Sequence, residues 1–255
     1  MKQMINWKLF AILLVASVLT GLMALPYALA LINMPALVMS PLIIIGTIIQ
    51  TTVIFSIAIF VGLLLAKRVG LGLPMLERVL KRENQGAFFK AILGPSIAWG
   101  VLTGVLIILV SLPFGTLSLD FLKAEVTVAT WKGFLASFYG GIAEEILLRL
   151  FLMTLLVWLG WKIKQTPSGQ ATTVGIWLAI IISSILFGLG HLPVTSGITA
   201  ITPVVVLRAI VLNGIGGIIF GWLYWKRGLE SAMISHFSAD IVLHVLVPML
   251  GAWLM

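Results

Sequence analysis

The stretch GGIAEEILLRL, from Gly140 to Leu150, places two adjacent glutamates and an arginine inside a long apolar run, 132–160. A run of this length is sufficient for one membrane crossing, which takes about 20 mainly apolar residues. Charged side chains are costly in hydrocarbon and usually face the interior of a helix bundle, where they pair with one another. The stretch therefore predicts a membrane helix whose charged side chains point into the protein.

The composition extends this prediction to the whole chain. Of 255 residues, 61% are hydrophobic and 9% are charged, with a mean hydropathy of +1.19, whereas soluble domains carry about 25% charged residues. We expect a single integral membrane domain over residues 1–255, in contact with membrane lipid. The net charge of +8 is typical of basic loops at anionic lipid and does not indicate nucleic-acid binding. The absence of cysteine excludes disulfides, thiol catalysis and cysteine metal sites.

The predicted fold is all-α, a polytopic bundle of seven or eight transmembrane helices that encloses a polar cavity. Segments that are long and apolar enough to cross a membrane lie at 8–33, 42–66, 91–112, 132–160, 173–191, 203–225 and 230–254. Residues 67–90 differ, because charged residues there surround leucine and valine at helical spacing. They predict either a basic amphipathic helix at the cytoplasmic interface or a solvated basic loop.

The placement of lysine and arginine predicts the orientation, because these residues favour the cytoplasmic side. They concentrate at the N-terminus and after the second, fourth and sixth predicted helices: Lys2, Lys8, Lys67, Arg68, Arg78, Lys81, Arg82, Lys90, Lys162, Lys164, Lys226 and Arg227. With seven crossings, all of these regions lie on one side. We expect the N-terminus inside and the C-terminus outside, in the plasma membrane of a bacterium or archaeon.

Glu145 and Arg149 are four residues apart and share a helix face, so we expect them to pair. Glu144 lies about 100° further around an α-helix from Glu145 and is directed elsewhere. A desolvated glutamate without an ion partner suits general-base chemistry near neutral pH. The sequence thus predicts a structural partner, Glu145, and a candidate base, Glu144.

The last predicted helix carries a polar stripe in which His236, Asp240 and His244 repeat at four-residue steps. Phe187 and His191 are also one turn apart, and His191 stands at the end of the fifth predicted helix. We interpret Phe187 as a packing residue beside the site. For His244 we favour a hydrogen bond between helices over a catalytic role.

Three motifs occur in order on predicted membrane helices: EEILLR at 144–149, FGLGH at 187–191 and HFSAD at 236–240. Together they resemble the CAAX prenyl protease and bacteriocin-processing family, also called the CPBP or Abi family. The resemblance covers residues 130–245, which we interpret as the catalytic core. It implies an intramembrane endopeptidase of about eight helices, in which Glu145 and Arg149 form an orienting pair within the catalytic set.

The resemblance also implies roles for the remaining motif residues. Glu144 would activate the attacking water, assisted by His191, while His236 and Asp240 would stabilise the oxyanion. Many members of the family have asparagine where this chain has Asp240. Because an ionised aspartate cannot donate to an oxyanion, Asp240 is either protonated or orients His236.

We therefore expect an endopeptidase that needs no cofactor and hydrolyses a peptide bond in a membrane-associated protein or peptide. The substrate is of the prenylated CAAX type or of the bacteriocin type. Two alternatives remain open. Glu144, His191 and His236 could instead hold zinc, because two histidines and a carboxylate make a common catalytic site. The chain could also be a non-catalytic immunity or regulatory protein, since buried Glu, His and Asp also serve proton relays.

The depths of two histidines present a geometric problem. His236 lies about 10 Å from the inner end of its predicted helix, whereas His191 lies at the outer end of another. These side chains cannot meet if both helices are straight and begin at the membrane surface. A shared site requires that one helix starts away from the surface or that a helix is broken, which is allowed where it lines a cavity.

Overall fold

The computed structural model describes residues 5–84 and 86–254, and within them it is helical, with one isolated bridge between Gln165 and Ala171 and no strand. The predicted all-α bundle is confirmed. Lys2, which supports the predicted orientation, lies outside the described residues. The α-helices are α1 Trp7–Leu31, α2 Pro41–Val69, α3 Pro74–Leu80, α4 Gly86–Ser111, α5 Thr116–Val126, α6 Thr130–Phe138, α7 Thr154–Ile163, α8 Thr173–Gly190, α9 Leu192–Thr195, α10 Pro203–Arg227, α11 Leu229–Ile241 and α12 Val247–Leu254.

Seven long helical segments correspond to the seven predicted crossings. Six of them are long and apolar enough to span a membrane: α1, α2, α4, α8, α10 and the continuous segment of α11 and α12. The seventh runs from α6 through π-helical turns into α7 without a break. In hydrocarbon a helix satisfies its own backbone hydrogen bonds, which is why apolar runs of this length fold as helices.

The centre of the α6–α7 segment is wound as π-helix, over Tyr139–Glu144 and Ile146–Met153. The apolar pattern predicts an α-helix here, and that prediction is wrong in the winding. Just after the π-helical stretch, the Thr154 hydroxyl donates to the backbone carbonyl of Arg149, five residues earlier, at 3.0 Å. Such turns are rare in proteins and frequently lie at functional sites.

Residues 67–90 do not form one amphipathic helix. α2 continues into this segment and ends at Val69, and it is followed by Gly70, whose φ of 74° is the left-handed conformation that favours glycine after a helix. Within the described part of the segment, α3 is a separate short helix before α4 begins. Leu76 and Leu80 pack against the core, while Val79 is 47% exposed, so α3 has a buried and an exposed side, and its place at the cytoplasmic interface stays a prediction.

Phe187 on α8 and His236 on α11 meet although they stand at different distances from the starts of their helices. Phe187 lies about 21 Å along α8 from Thr173, and His236 lies about 10 Å along α11 from Leu229, yet the two ring centroids are 5.8 Å apart. The loop between α2 and α3 covers the start of α11, where the Leu229 N–H donates to the Gly72 carbonyl at 3.0 Å. Trp225 near the end of α10 packs on Trp177 near the start of α8, with ring centroids 6.2 Å apart, so the turn from α10 into α11 lies near the level at which α8 starts. The two motifs meet because the Phe187 ring contacts both His191 and His236.

Candidate active site

Glu145 and Arg149 form the predicted ion pair, with Arg149 Nη1 3.0 Å from Glu145 Oε1. Both residues are buried, at 0% and 1% exposure. The guanidinium carbon lies 5.2 Å from the ring centroid of Phe187 and 5.5 Å from that of Phe220, and Nη2 donates to the Gly217 carbonyl at 3.3 Å. A carboxylate, two aromatic faces and a carbonyl therefore offset the cost of burying this cation.

His236 is held by the same carboxylate. Its Nδ1 lies 2.8 Å from Glu145 Oε1, and because an ion-paired carboxylate can only accept, Nδ1 carries the proton. The His236 ring stacks on Phe220 at 4.6 Å with 22° between the planes, and Phe187 meets its edge. Glu145 thus fixes the tautomer of His236 as well as pairing with Arg149, a second contact that the four-residue spacing does not predict.

The other ring nitrogen of His236 faces two carboxylates. Nε2 lies 3.7 Å from Glu144 Oε2 and 3.6 Å from Asp240 Oδ1, both longer than a direct hydrogen bond. The Glu144 side chain is 22% exposed and that of Asp240 is 12% exposed, whereas Glu145 is fully buried. Among these three carboxylates, Glu144 therefore has the most exposed side chain.

His191 joins the site through Phe187. Its Nδ1 lies 2.9 Å from the Phe187 carbonyl, so Nδ1–H donates and Nε2 is the basic nitrogen of the neutral ring. The Phe187 ring contacts both histidines, with centroids 4.7 Å from His191 and 5.8 Å from His236. Within the described chain no hydrogen bond joins His191 to Glu144 or His236. Phe187 thus packs against both imidazoles.

The described residues contain no group of three His, Asp or Glu side chains arranged to hold a metal ion. The alternative ligand set of Glu144, His191 and His236 is therefore not assembled as a metal site. The Phe187 ring contacts both histidines, and His236 Nδ1 is committed to Glu145. We derive no catalytic step through zinc from this geometry.

A second polar cluster extends from Asp240 and is not predicted as a unit. His244 Nδ1 lies 2.9 Å from Tyr27 Oη and 3.2 Å from Glu125 Oε1, and Tyr27 Oη donates to Glu125. His244 thus makes the expected hydrogen bonds between helices. Burial alone would raise the pKa of the Glu125 carboxyl, but attraction to His244 and hydrogen bonds from His244 and Tyr27 outweigh it, and the pKa is lowered. The sequence alone indicates that Glu125 is a charged residue of a loop, two residues from Lys123.

Gly140 provides the space in which the third motif lies. A Cβ at this position would overlap Asp240 Oδ2 and approach His236 Nε2 to 3.2 Å. The π-helical turn that contains Gly140 packs on α11. Gly140 and Phe220, which stacks on His236, are site residues that the motifs do not reveal.

A cavity of about 580 Å³ lies apart from these residues, at the end of the bundle formed by the α2–α3 loop and the end of α10. We call this the basic end, because Lys226 and Arg227 line the cavity together with Glu77. None of the motif residues line it. The motif side chains instead form a closely packed cluster, so the polar cavity expected around them is not the cavity at the basic end.

Residues 125–242 match the family model described as Type II CAAX prenyl endopeptidase Rce1-like. The matched segment covers a little under half of the chain and contains all three motifs. It also reaches back to Glu125 in α5, ahead of the predicted core at 130–245. No curated protein and no solved structure matches the chain.

Proposed function

Because residues 125–242 match the Rce1-like family model of type II CAAX prenyl endopeptidases, we propose that the chain hydrolyses a peptide bond with a water molecule activated by Glu144. The observation that carries this proposal is the division of labour between two neighbouring carboxylates. Arg149 pairs with Glu145, 3.0 Å away, and leaves Glu144 as the more exposed carboxylate, 3.7 Å from His236 Nε2. An accessible carboxylate beside an imidazole suits general-base catalysis.

In the proposed reaction, the Glu144 carboxylate takes a proton from water as the water oxygen attacks the scissile carbonyl carbon. His236 acts as the imidazolium, with Nδ1–H bound to Glu145 and Nε2–H donating to the oxyanion that forms. The C–N bond then breaks, and Glu144 passes its proton to the departing amine. The bond between the water oxygen and the carbonyl carbon remains in the product carboxylic acid, and no covalent enzyme intermediate is formed.

Asp240 acts on His236 rather than on the oxyanion in this scheme. Its Oδ1 lies 3.6 Å from His236 Nε2, on the same side of the ring as Glu144. An ionised aspartate has no proton to donate, but it favours a proton on the facing imidazole. Of the two roles open to Asp240 from the sequence, the geometry supports the one in which it orients His236.

His191 is the second base of the proposal. With Nδ1–H bound to the Phe187 carbonyl at 2.9 Å, its Nε2 can accept a hydrogen bond from the attacking water. The Phe187 ring holds this imidazole at a fixed distance from His236. His191 thus assists Glu144 by orienting the water, without forming part of the ion-paired network.

The proposed substrate is a membrane-associated protein or peptide, because the motif residues lie on helices of the membrane bundle and the family acts on prenylated CAAX proteins. A prenylated peptide with a C-terminal tripeptide to be removed is the first candidate. A bacteriocin-type precursor is the second. Cleavage assays with both classes of peptide distinguish them.

The test of the base is Glu144→Gln, which keeps the shape of the side chain and removes its basicity. We expect turnover of a cleaved peptide to fall by about 10²–10⁴-fold, with substrate binding retained. Asp120→Asn is the matched control, because Asp120 is an exposed carboxyl, 58% accessible, on α5. Equal turnover by Glu144→Gln and the wild type would refute the assignment. Loss of activity in chelator, restored by zinc, would favour the metal-dependent alternative.

A further inference from the structure

A cluster of polar side chains lies beside the three motifs, toward the end of the bundle opposite the basic end. Tyr27 near the end of α1, Glu125 on α5 and His244 after α11 meet there. His244 Nδ1 is 2.9 Å from Tyr27 Oη and lies 3.2 and 3.3 Å from the two oxygens of Glu125. The reaction scheme above uses none of these residues.

His244 also faces the third motif with its other nitrogen. Because a carboxylate accepts, Nδ1–H donates to Glu125, and Nε2 points toward Asp240, with 3.9 Å between Nε2 and Oδ1. The same Oδ1 lies 3.6 Å from His236 Nε2. Two imidazoles therefore approach one carboxylate oxygen from opposite ends of the polar stripe on α11.

The cluster and the motifs form one chain in which acids and bases alternate: Glu125, His244, Asp240, His236, Glu145 and Arg149. Asp240 is 12% exposed and shares the site with two further carboxylates, Glu144 and Glu145. A buried carboxylate beside like charges is costly unless a cation or donor faces it. His244 is such a partner for Asp240, and it faces the carboxylate from the side on which no motif residue does.

We propose that His244, held by Glu125 and Tyr27, is a positioning residue that keeps the Asp240 carboxylate against His236. Through this chain α1 and α5 contribute to the geometry of a site whose motifs lie on other helices. The contribution to turnover rests on the proposed function. The physical coupling from Glu125 to His236 does not, and it can be measured without a substrate.

The first experiment uses the three histidines of the chain as probes, with ¹⁵N-labelled imidazoles observed by NMR in detergent. Glu125→Gln is expected to shift the ring nitrogen signals of His244 and also those of His236, and to leave His191 unchanged. Tyr27→Phe, a smaller change, is expected to shift the same two rings less. His236 signals that stay unchanged in both variants while His244 shifts would overturn the proposal.

Glu230→Gln is the matched control for this experiment. It makes the same chemical change in a buried glutamate of α11, but Glu230 Oε1 accepts from the Leu76 N–H at the other end of that helix. We expect no shift at His236 in this variant. A shift as large as that caused by Glu125→Gln would mean that His236 responds to any loss of charge around α11, and would also overturn the proposal.

The second experiment is a double-mutant cycle on turnover. His244→Gln is expected to lower kcat about tenfold with little change in KM, a coupling of the size seen for contacting groups. In the Asp240→Asn background the same change is expected to lower kcat by no more than about twofold, because an amide needs no counter-charge. Equal factors in both backgrounds would contradict the positioning role. If the wild type cleaves no peptide, the proposed function fails, and the NMR result still decides the coupling.

Discussion

Arg149 acts on the chemistry through two other side chains. It pairs with Glu145, Glu145 accepts from His236 Nδ1 at 2.8 Å, and His236 presents Nε2 to Glu144. Removing the guanidinium would leave Glu145 without its cation at 0% exposure. A single buried cation therefore contributes both to the stability of the bundle and to the orientation of the imidazole.

We expect Arg149→Leu to lower the free energy of unfolding by about 3–5 kcal/mol, the usual cost of leaving a buried charge unpaired. Adding Glu145→Gln should recover part of that loss, because the orphaned charge is then removed. Denaturant unfolding in detergent measures both variants. Lys123→Leu is the matched control, since its pair with Asp120 is 4.0 Å long and solvent-exposed, and we expect it to cost no more than about 1 kcal/mol. A double variant no more stable than Arg149→Leu alone would contradict this account.

At the residue scale, the sequence predicts pairs within one helix better than contacts between helices. The four-residue spacing of Glu145 and Arg149 is visible in the motif, and the pair is present at 3.0 Å. Tyr27 lies in an apolar run, and Glu125 lies two residues from a lysine. Neither position indicates that the residue would contact His244. Contacts between distant segments depend on how helices pack, and one sequence carries no direct signal of that packing.

The α6–α7 segment shows what a helix can contribute beyond its apolar face. Its π-helical turns over Tyr139–Glu144 and Ile146–Met153 carry the first motif, and Gly140 in the first of these turns admits the side chains of Asp240 and His236. The apolar pattern predicts the helix and its approximate ends. It does not predict the winding, because hydrophobic residues fill an α-turn and a π-turn alike.

Gly140→Ala tests whether this close approach sets the geometry of the site. The new Cβ would overlap Asp240 Oδ2 and crowd His236 Nε2, so the third motif must shift. We expect kcat to fall by about 10²-fold, as for displacements of about 1 Å at a reacting centre, and stability to fall by about 1–3 kcal/mol from overpacking. Peptide cleavage and denaturant unfolding measure the two effects.

Gly214→Ala on α10 is the control for this substitution, because a Cβ there meets no atom within 4 Å. It should keep full turnover and gain up to about 1 kcal/mol from helix propensity. Normal turnover in Gly140→Ala would show that Asp240 and His236 tolerate a shift of α11, and the close-approach argument would then be wrong.

For the whole molecule, composition and span lengths predict the seven helical segments, but not their relative depth. α11 starts under the α2–α3 loop, and His236, two turns into α11, lies beside Phe187 near the end of α8. Hydropathy reports only that a segment is apolar. Which side chains meet across the bundle depends on how the helices pack and on loop contacts such as that of Leu229 with Gly72.

Single introduced cysteines can test the predicted orientation. They are unambiguous probes because the chain contains no cysteine of its own. Ser168, between α7 and α8, and Ala200, between α9 and α10, are both exposed. Seven crossings with the basic end inside predict that an impermeant maleimide labels Ala200→Cys in intact cells and labels Ser168→Cys only after lysis. The cysteine-free parent is the control. Labelling of Ser168→Cys alone in intact cells would mean that the orientation is inverted, with lysine and arginine facing outward against their usual preference. Labelling of both variants in intact cells would contradict a helix count that places them on opposite sides.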